Sequence, residues 1–224
     1  MSDYDLIIFD CDGTLVDSEA ICNAVLVDLV NQYADKQYTL DYALCYWAGM
    51  TLSNVLAVVQ EEQGCDFPDD VRDRYVETCN QKYQIDLKPV SGAIDLVESC
   101  NQSVEICVGS NGERTNVFDS LKLCGFSPNY FTEDNIFTRI QVPNGKPEPD
   151  LFLFAAEKMA VDPKRCLVIE DSESGVTAGK EAGMEVWGFT GVSHDPIVQE
   201  KTLLAAGALS VFERLIHIQQ RLGH

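Results

Sequence analysis

Four short runs that are apolar almost throughout constrain the fold of this chain more than any other feature. They are DLIIFD (residues 5–10), VEICVGS (104–110), CLVIE (166–170) and EVWGF (185–189). A strand with one face in water alternates apolar and polar residues, and these runs do not, so both of their faces should be covered. Helical patterns separate the later runs, which predicts strand–helix–strand crossovers. The predicted fold class is therefore α/β with a parallel sheet.

The region from residue 16 to residue 86 breaks this alternation, because it shows helix-length patterns without a convincing strand between them. Examples of these patterns are residues 18–33, 51–63 and 68–84. Pro89, Ser91 and Gly92 then interrupt the pattern before the next strand. We expect an all-helical insert between the first and second strands.

The charge of the chain limits the class of its partners. Acidic residues number 36 and basic residues 16, which gives a formal net charge of −20. Such a field repels a phosphate backbone, and the sequence shows no local basic patch. We therefore expect no nucleic-acid partner.

Cysteine usage and hydropathy indicate a reducing, aqueous environment. The nine cysteines are scattered and form no C-x-x-C pair, so neither a disulfide framework nor a zinc site is predicted. The first residues carry acid where a signal peptide carries Lys or Arg. No apolar run approaches the roughly 18 residues of a membrane span. The prediction is a cytoplasmic protein without a membrane partner.

Polar residues gather where the predicted strands end. In open parallel sheets, ligands bind at the carboxyl ends of the strands. The segments expected at that edge are Asp10-Cys11-Asp12-Gly13, Ser110-Asn111-Gly112, Gly145-Lys146-Pro147 and Glu170-Asp171-Ser172. The topology therefore predicts a site with several carboxylates, a hydroxyl group, backbone amides and one ammonium group.

This combination of groups is typical of phosphoryl transfer. Clustered carboxylates repel one another unless a divalent cation neutralises them, and an oxygen-only set without His favours Mg²⁺ over zinc. Ser110 before Asn-Gly offers a hydroxyl group and free N–H groups to an anion, and Lys146 adds a positive charge. Positioning and charge neutralisation perform most of the catalysis in such sites.

The motifs FDCDGT, VGSNG, GKPEPDLF and EDSESG resemble the four motifs of the haloacid dehalogenase superfamily, in order and across nearly the whole chain. The resemblance implies a Rossmann-like catalytic core of residues 1–15 and 87–224, with an α-helical cap domain at residues 16–86. The opening FDCDGTLVDSEAIC is similar to the bacterial 6-phosphogluconate phosphatase group. The implied activity is hydrolysis of a phosphoric monoester.

The resemblance also implies the catalytic roles. Asp10 corresponds to the nucleophile that forms an aspartyl-phosphate intermediate. Asp12 corresponds to the general acid and base, which protonates the leaving alcohol and then activates water. Ser110 and Lys146 would bind the phosphoryl group, and Asn111 would help with its backbone amide.

The implied cofactor is Mg²⁺. Its ligands would be the Asp10 carboxylate, the Asp12 backbone carbonyl and the Asp171 carboxylate. Glu170 would lie close by and bind the ion directly or through water.

Two residues separate activities within the superfamily. Asp12 favours phosphate chemistry, since dehalogenases lack a carboxylate two residues after the nucleophile. Relatives of beta-phosphoglucomutase carry His twelve residues after the nucleophile, where this chain has Cys22. A sugar-phosphate mutase therefore ranks below a phosphatase but stays open.

The substrate class is implied by the resemblance alone. Sugar phosphates and sugar-acid phosphates such as 6-phosphogluconate rank first. The insert has 13 acidic and 4 basic residues, which offers little charge for a substrate carboxylate, so phosphoglycolate and neutral hexose phosphates stay open. A phospho-receiver, which holds the phosphoryl group without turnover, is the non-enzymatic alternative. We expect a monomer, because a cap must move over the site.

Overall fold

The computed structural model describes residues 4–47 and 50–223. The chain divides into two compact units. One comprises Met1–Asp17 and Lys88–His224, and the other comprises Ser18–Leu87. We call the first the sheet unit and the second the helical unit.

The sheet unit is built on one parallel sheet. Its strands are β1 (Leu6–Phe9), β2 (Glu105–Ser110), β3 (Ile136–Thr138), β4 (Cys166–Glu170), β5 (Glu185–Phe189) and β6 (Ser210–Phe212). They lie in the order β3-β2-β1-β4-β5-β6, and every neighbouring pair is parallel. The predicted α/β class with a Rossmann-like parallel sheet is confirmed.

Strand β1 lies at the centre of this sheet, and all four of its residues are buried. Leu6 and Ile8 belong to an apolar cluster with buried residues of the helices on one face of the sheet. Phe9 contacts the ring of Phe131 edge to face, with centroids 6.3 Å apart. Because successive side chains of a strand point to opposite faces, the second face is also covered. This burial explains the absence of polar alternation in the first apolar run.

The helices of the sheet unit lie between strands along the chain, except for the last helix, which follows the last strand. They are α5 (Ala93–Asn101), α6 (Arg114–Leu123), α7 (Asp150–Lys158), α8 (Glu173–Glu181), α9 (Pro196–Ala206) and α10 (Leu215–Leu222), with two 3₁₀ turns at Arg139–Gln141 and Pro163–Arg165. Crossovers between parallel strands place such helices over the sheet. The loops at the strand ends are thereby held between rigid elements.

The two shortest strands were not predicted. Strands β3 and β6 have three residues each, too few for a periodic pattern to appear. The sequence also suggests one amphipathic helix over Leu209–Leu222, and this prediction is wrong in its first part. Residues Ser210–Phe212 pair with Trp187–Phe189 of β5, and the helix begins only at Leu215. Pairing with an existing sheet edge decides the conformation there, which no local pattern reveals.

The described residues of the helical unit form four helices. They are α1 (Glu19–Val30), α2 (Leu40–Tyr46), α3 (Leu52–Gln63) and α4 (Val71–Asp86). Side chains of Thr39 and Thr51 accept hydrogen bonds from backbone N–H groups and so cap α2 and α3. Trp47 is buried in the apolar core of this unit, and Met50 packs against that core. Gly49 lies outside the described residues. Among the helices described, none is both long and apolar enough to cross a membrane.

Truncation of Ile8 tests the importance of the central strand. Ile8 is 0 % exposed, so Ile8→Ala should lower the free energy of unfolding by about 2–5 kcal/mol through lost burial and a residual cavity. Urea denaturation followed by circular dichroism measures this change. Ile140→Ala, at a side chain that is 68 % exposed, serves as the control and should change stability by less than about 0.5 kcal/mol. Equal losses in both variants would contradict the assigned core.

Candidate active site

The site lies where the strand order of the sheet reverses. Strands β1 and β4 are neighbours there. Strands β2 and β3 extend the sheet on one side of β1, and β4, β5 and β6 extend it on the other side. Such a switch point opens a crevice at the carboxyl ends of the strands. Asp10 follows β1 directly, and its backbone N–H donates to the Ile169 carbonyl of β4 at 2.9 Å. Glu170 ends β4. The two acids are therefore fixed on either side of the crevice by the sheet itself.

Lys146 joins these two acids. Its Nζ lies 2.5 Å from Asp10 Oδ1 and 2.6 Å from Glu170 Oε1, and its side chain is buried. The residue belongs to a turn between the 3₁₀ turn at Arg139–Gln141 and α7. A single ammonium group thus joins two carboxylates, and the three groups come from separate parts of the chain.

Burial and the neighbouring opposite charges shift the pKa values of Lys146 and Asp10 in opposite directions. Burial alone would lower the pKa of Lys146, but the carboxylates of Asp10 and Glu170 outweigh it and raise that pKa, so the side chain stays an ammonium. Burial raises the pKa of Asp10 to about 8, while the charge of Lys146 opposes the rise. A further cation beside Asp10 would act in the same direction as Lys146 and favour the carboxylate.

The acids at this edge fit a hard metal ion. Asp10, Glu170 and Asp171 each offer one carboxylate oxygen, and these oxygens lie within 4.8 Å of one another. When all three acids are ionised, they leave an excess of two negative charges beside the one ammonium group, which a divalent cation would balance. Oxygen ligands without His or Cys suit Mg²⁺. The donor set therefore fits the ion that the sequence predicts.

Gly13 leaves room for the carboxylate of Asp171. It has a φ of +84°, in the left-handed region, and a Cβ at this position would overlap Asp171 Oδ2. The amide of Gln199, in α9, donates to the backbone carbonyl of Asp171. The conformation of Asp171 thus depends on a glycine after β1 and on a helix that begins after β5.

Glu170 has protein partners for both of its carboxylate oxygens. Oε1 accepts from Lys146, and Oε2 accepts from the backbone N–H of Ser172 at 2.7 Å and from its hydroxyl group at 2.9 Å. The Ser172 hydroxyl also accepts from Gly175 N–H at 3.1 Å and caps α8. A Cβ at Gly175 would overlap Glu170. Glu170 therefore orients Lys146 whether or not it also binds a metal ion.

Asp12 and Ser110 approach each other around Gly112. A Cβ on Gly112 would lie 3.2 Å from Ser110 Oγ and 3.7 Å from Asp12 Oδ2, and the N–H of Gly112 donates to Ser110 Oγ at 3.0 Å. Ser110 is buried, whereas Asp12 is exposed. The chain after β1 turns back on itself, since Gly13 N–H donates to the Val16 carbonyl at 2.9 Å. That turn holds Asp12 beside the end of β2.

Asn111 pairs with the backbone of Lys146. Its Nδ2 donates to the Lys146 carbonyl at 3.0 Å, and its Oδ1 accepts from the Lys146 N–H at 2.9 Å. A single side chain therefore occupies both backbone hydrogen-bonding groups of Lys146.

The structure brings every sequence-predicted site residue to one edge of the sheet. These residues are Asp10, Asp12, Ser110, Asn111, Lys146, Glu170 and Asp171. Sequence reasoning missed Gln199, which no signal in its own helix could reveal, and the hydrogen bond from Ser172 to Glu170. Cys11 is buried, and His194 and His217 are exposed. His224 lies outside the described residues.

Comparison with known proteins identifies the family. A family model described as haloacid dehalogenase-like hydrolase matches residues 7–189. The chain belongs to this family. It is therefore an enzyme of a hydrolase family with named phosphatase relatives, as the four motifs predict. The matched range begins within β1 and ends with β5, so it includes all four motifs.

Three relatives of this haloacid dehalogenase-like hydrolase cover most of its length. The 6-phosphogluconate phosphatase of Escherichia coli is 31% identical over 205 residues, 90% of each chain. The phosphorylated carbohydrates phosphatase of Thermotoga maritima is 28% identical over 208 residues, 92% of each. A conserved haloacid dehalogenase-like protein of unknown function from Agrobacterium tumefaciens superposes with a TM-score of 0.86 and 32% identity, over 99% of this chain and 100% of the other.

Removal of the Lys146 ammonium group should destabilise the metal-free hydrolase. Lys146→Met leaves Asp10 and Glu170 buried without a counter-charge, so the free energy of unfolding should fall by about 3–5 kcal/mol in EDTA-containing buffer. Adding Glu170→Gln removes one of the two charges and should restore part of the loss. Lys122→Met, at an exposed lysine of α6, is the control and should change little. Urea denaturation measures all three, and a Lys146→Met protein as stable as wild type would refute the assigned ion pairs.

Proposed function

We propose that this hydrolase is a Mg²⁺-dependent phosphomonoesterase that acts on a small phosphorylated metabolite. The observation that carries the proposal is the arrangement after β1. Asp10 is buried against Lys146, while Asp12, two residues later, is exposed beside Ser110. One carboxylate is held in place, and the other can exchange protons with a substrate or water. These are the requirements for covalent phosphoryl transfer and subsequent hydrolysis.

The nucleophile in this proposal is a carboxylate oxygen of Asp10. It attacks phosphorus, the bond to the leaving alcohol breaks, and Asp12 donates a proton to the alcohol oxygen. Asp12, now a carboxylate, takes a proton from water as the water attacks the aspartyl-phosphate. The products are inorganic phosphate and regenerated Asp10. Asp12 returns to its starting state, so the cycle balances without another reactant.

In this proposal, the phosphoryl group is bound by the end of β2 and by the turn at Gly145-Lys146-Pro147, which we call the Lys146 turn. The hydroxyl group of Ser110 and the backbone amide of Asn111 donate to its oxygens. Lys146 stabilises the charge that develops on those oxygens, and it needs no reorganisation because Asp10 and Glu170 already hold it.

Mg²⁺ would be held by the carboxylates of Asp10 and Asp171 and the backbone carbonyl of Asp12, with Glu170 beside them. When bound, it supplies positive charge that neutralises the phosphate and lets the Asp10 carboxylate approach it. The cluster of carboxylate oxygens within 4.8 Å supports this assignment.

The substrate class in this proposal is the phosphate esters of sugars and sugar acids. Support comes from similarity to the 6-phosphogluconate phosphatase of E. coli and to the phosphorylated carbohydrates phosphatase of T. maritima. The helical unit, Ser18–Leu87, would serve as the cap that recognises the rest of the substrate. Its excess of acidic residues favours hexose phosphates, whose only charged group is the phosphate, over substrates with a second anionic group. Both kinds therefore belong in the test.

Two alternatives differ in the fate of the phosphoryl group once Asp10 has accepted it. A mutase would return the phosphoryl group to a sugar, but Cys22 stands where the mutase relatives have His, and its thiol lies 2.7 Å from the Tyr83 hydroxyl group. A phospho-receiver would keep the phosphoryl group on Asp10. The exposed Asp12 opposes that interpretation, because a general base beside the intermediate promotes its hydrolysis.

Substitution of the nucleophile tests the proposal directly. Wild-type protein with Mg²⁺ should release phosphate from some members of a panel of phosphorylated metabolites, including 6-phosphogluconate, hexose phosphates and phosphoglycolate. Asp10→Asn should lower kcat at least about 10⁴-fold, because it removes the nucleophile while it keeps the side-chain shape. Circular dichroism of both proteins controls for folding.

Three results would count against the proposal in different ways. Near-wild-type turnover by Asp10→Asn excludes the covalent mechanism. Conversion of one sugar phosphate isomer into another without phosphate release identifies a mutase. A stable phosphoprotein without turnover identifies a receiver.

Metal removal provides an independent test of the acidic cluster. EDTA should abolish phosphate release, because the excess negative charge at Asp10, Glu170 and Asp171 would then repel the substrate phosphate. Added Mg²⁺ should restore it, whereas Asp171→Ala should stay inactive at the same Mg²⁺ concentration. Phosphate release that is unchanged in EDTA would mean that the cluster is not a metal site.

A further inference from the structure

The Lys146 turn poses a positioning problem. The ammonium group must stay within hydrogen-bond distance of Asp10 and Glu170, yet Lys146 lies outside any helix or strand. A long side chain on such a turn loses considerable conformational entropy when it is fixed. Some other contact must hold the backbone of this turn against the sheet.

Asn111 supplies that contact. Its side-chain amide donates to the carbonyl and accepts from the N–H of the same residue, Lys146, at 3.0 and 2.9 Å. The pattern imitates the pairing that a neighbouring strand would offer. Only a carboxamide side chain combines a donor and an acceptor in this way, and Asn is shorter than Gln by one methylene group.

Gly145 allows the two segments to approach. A Cβ at this position would lie 2.5 Å from Asn111 Oδ1 and 2.8 Å from Arg139 Cγ, closer than real Cβ contacts. Any larger residue would push the turn away from Asn111. Gly145 is therefore needed for the same contact, because it has no side chain that would separate the turn from Asn111.

We propose that Asn111 is a positioning residue, whose side chain fixes the backbone of Lys146 against the end of β2. Strand β2 also ends in Ser110 and pairs with β1, the strand before Asp10. The sheet therefore sets the positions of the nucleophile, the hydroxyl group and the ammonium group together. This role of the Asn111 side chain is distinct from the role proposed for its backbone amide.

Chemical acetylation of lysine tests the proposal without reference to activity. Lys146 should react slowly with acetic anhydride in the wild-type protein, since its side chain is buried in two ion pairs. Asn111→Ala should raise the acetylation rate of Lys146 about 10-fold, because two hydrogen bonds to its backbone are lost. Mass spectrometry of the proteolysed protein gives the rate at each lysine. Exposed Lys122 is the internal reference and should react equally in both proteins.

Two further variants separate positioning from general destabilisation. Asn144→Ala removes a side chain of the same loop that pairs with Asp150 instead, and Lys146 should stay protected. Gly145→Ala should expose Lys146 to a similar extent as Asn111→Ala, and the double variant should expose it no further, since both disrupt one contact. Unchanged protection of Lys146 in Asn111→Ala overturns the proposal, as does equal exposure in Asn144→Ala.

The effect on turnover rests on the proposed function. If Asn111 acts through Lys146, Asn111→Ala should lower kcat about 10-fold in the wild-type background but cause no further loss in a Lys146→Met background. An equal loss in both backgrounds would mean that the Asn111 side chain contacts the substrate itself. If wild-type protein shows no turnover while Asn111→Ala exposes Lys146, the proposed function fails and the positioning role stands.

Discussion

The buried ion pairs of Lys146 with Asp10 and Glu170 are the interaction on which the site depends. Like charges from β1 and β4 meet at the switch point of the sheet, and they would repel each other at this depth without an ammonium group between them. This ammonium group therefore stabilises the fold even when no ligand is bound. In the proposed function, this residue, which stabilises the folded protein, also supplies positive charge to the phosphoryl group.

The glycines of the site have a shared function, which is to leave space for functional groups. A Cβ on Gly13 would overlap Asp171, and one on Gly175 would overlap Glu170. A Cβ on Gly145 would overlap the side chain of Asn111. Because these glycines have no side chain, the backbone at each of them can lie directly against a carboxylate or an amide group. The need for the motif glycines therefore arises from packing at the strand ends.

The four longer strands and the positions of most candidate site residues were predictable from sequence, because local apolar runs mark those strands. An apolar run such as Leu6–Phe9 indicates a strand buried on both faces, and parallel pairing then gathers the residues at the end of each run. The rest depends on contacts that a linear pattern does not contain. Strand β6 exists because β5 offers it an edge, and Gln199 reaches Asp171 from a separate helix. The contact of the Asn111 amide with Lys146 spans 35 residues.

The position of β1 at the centre of the sheet has a consequence for biosynthesis. Leu6 pairs with Glu105 on one side and with Cys166 on the other, so β1 can gain its second neighbour only after the ribosome has made the chain through β4. Contacts between such distant residues are slow to form and come late in folding. Asp10, which follows β1, therefore lacks its surroundings in the sheet until both neighbouring strands have been made. The candidate site is complete only after β4 has docked beside β1.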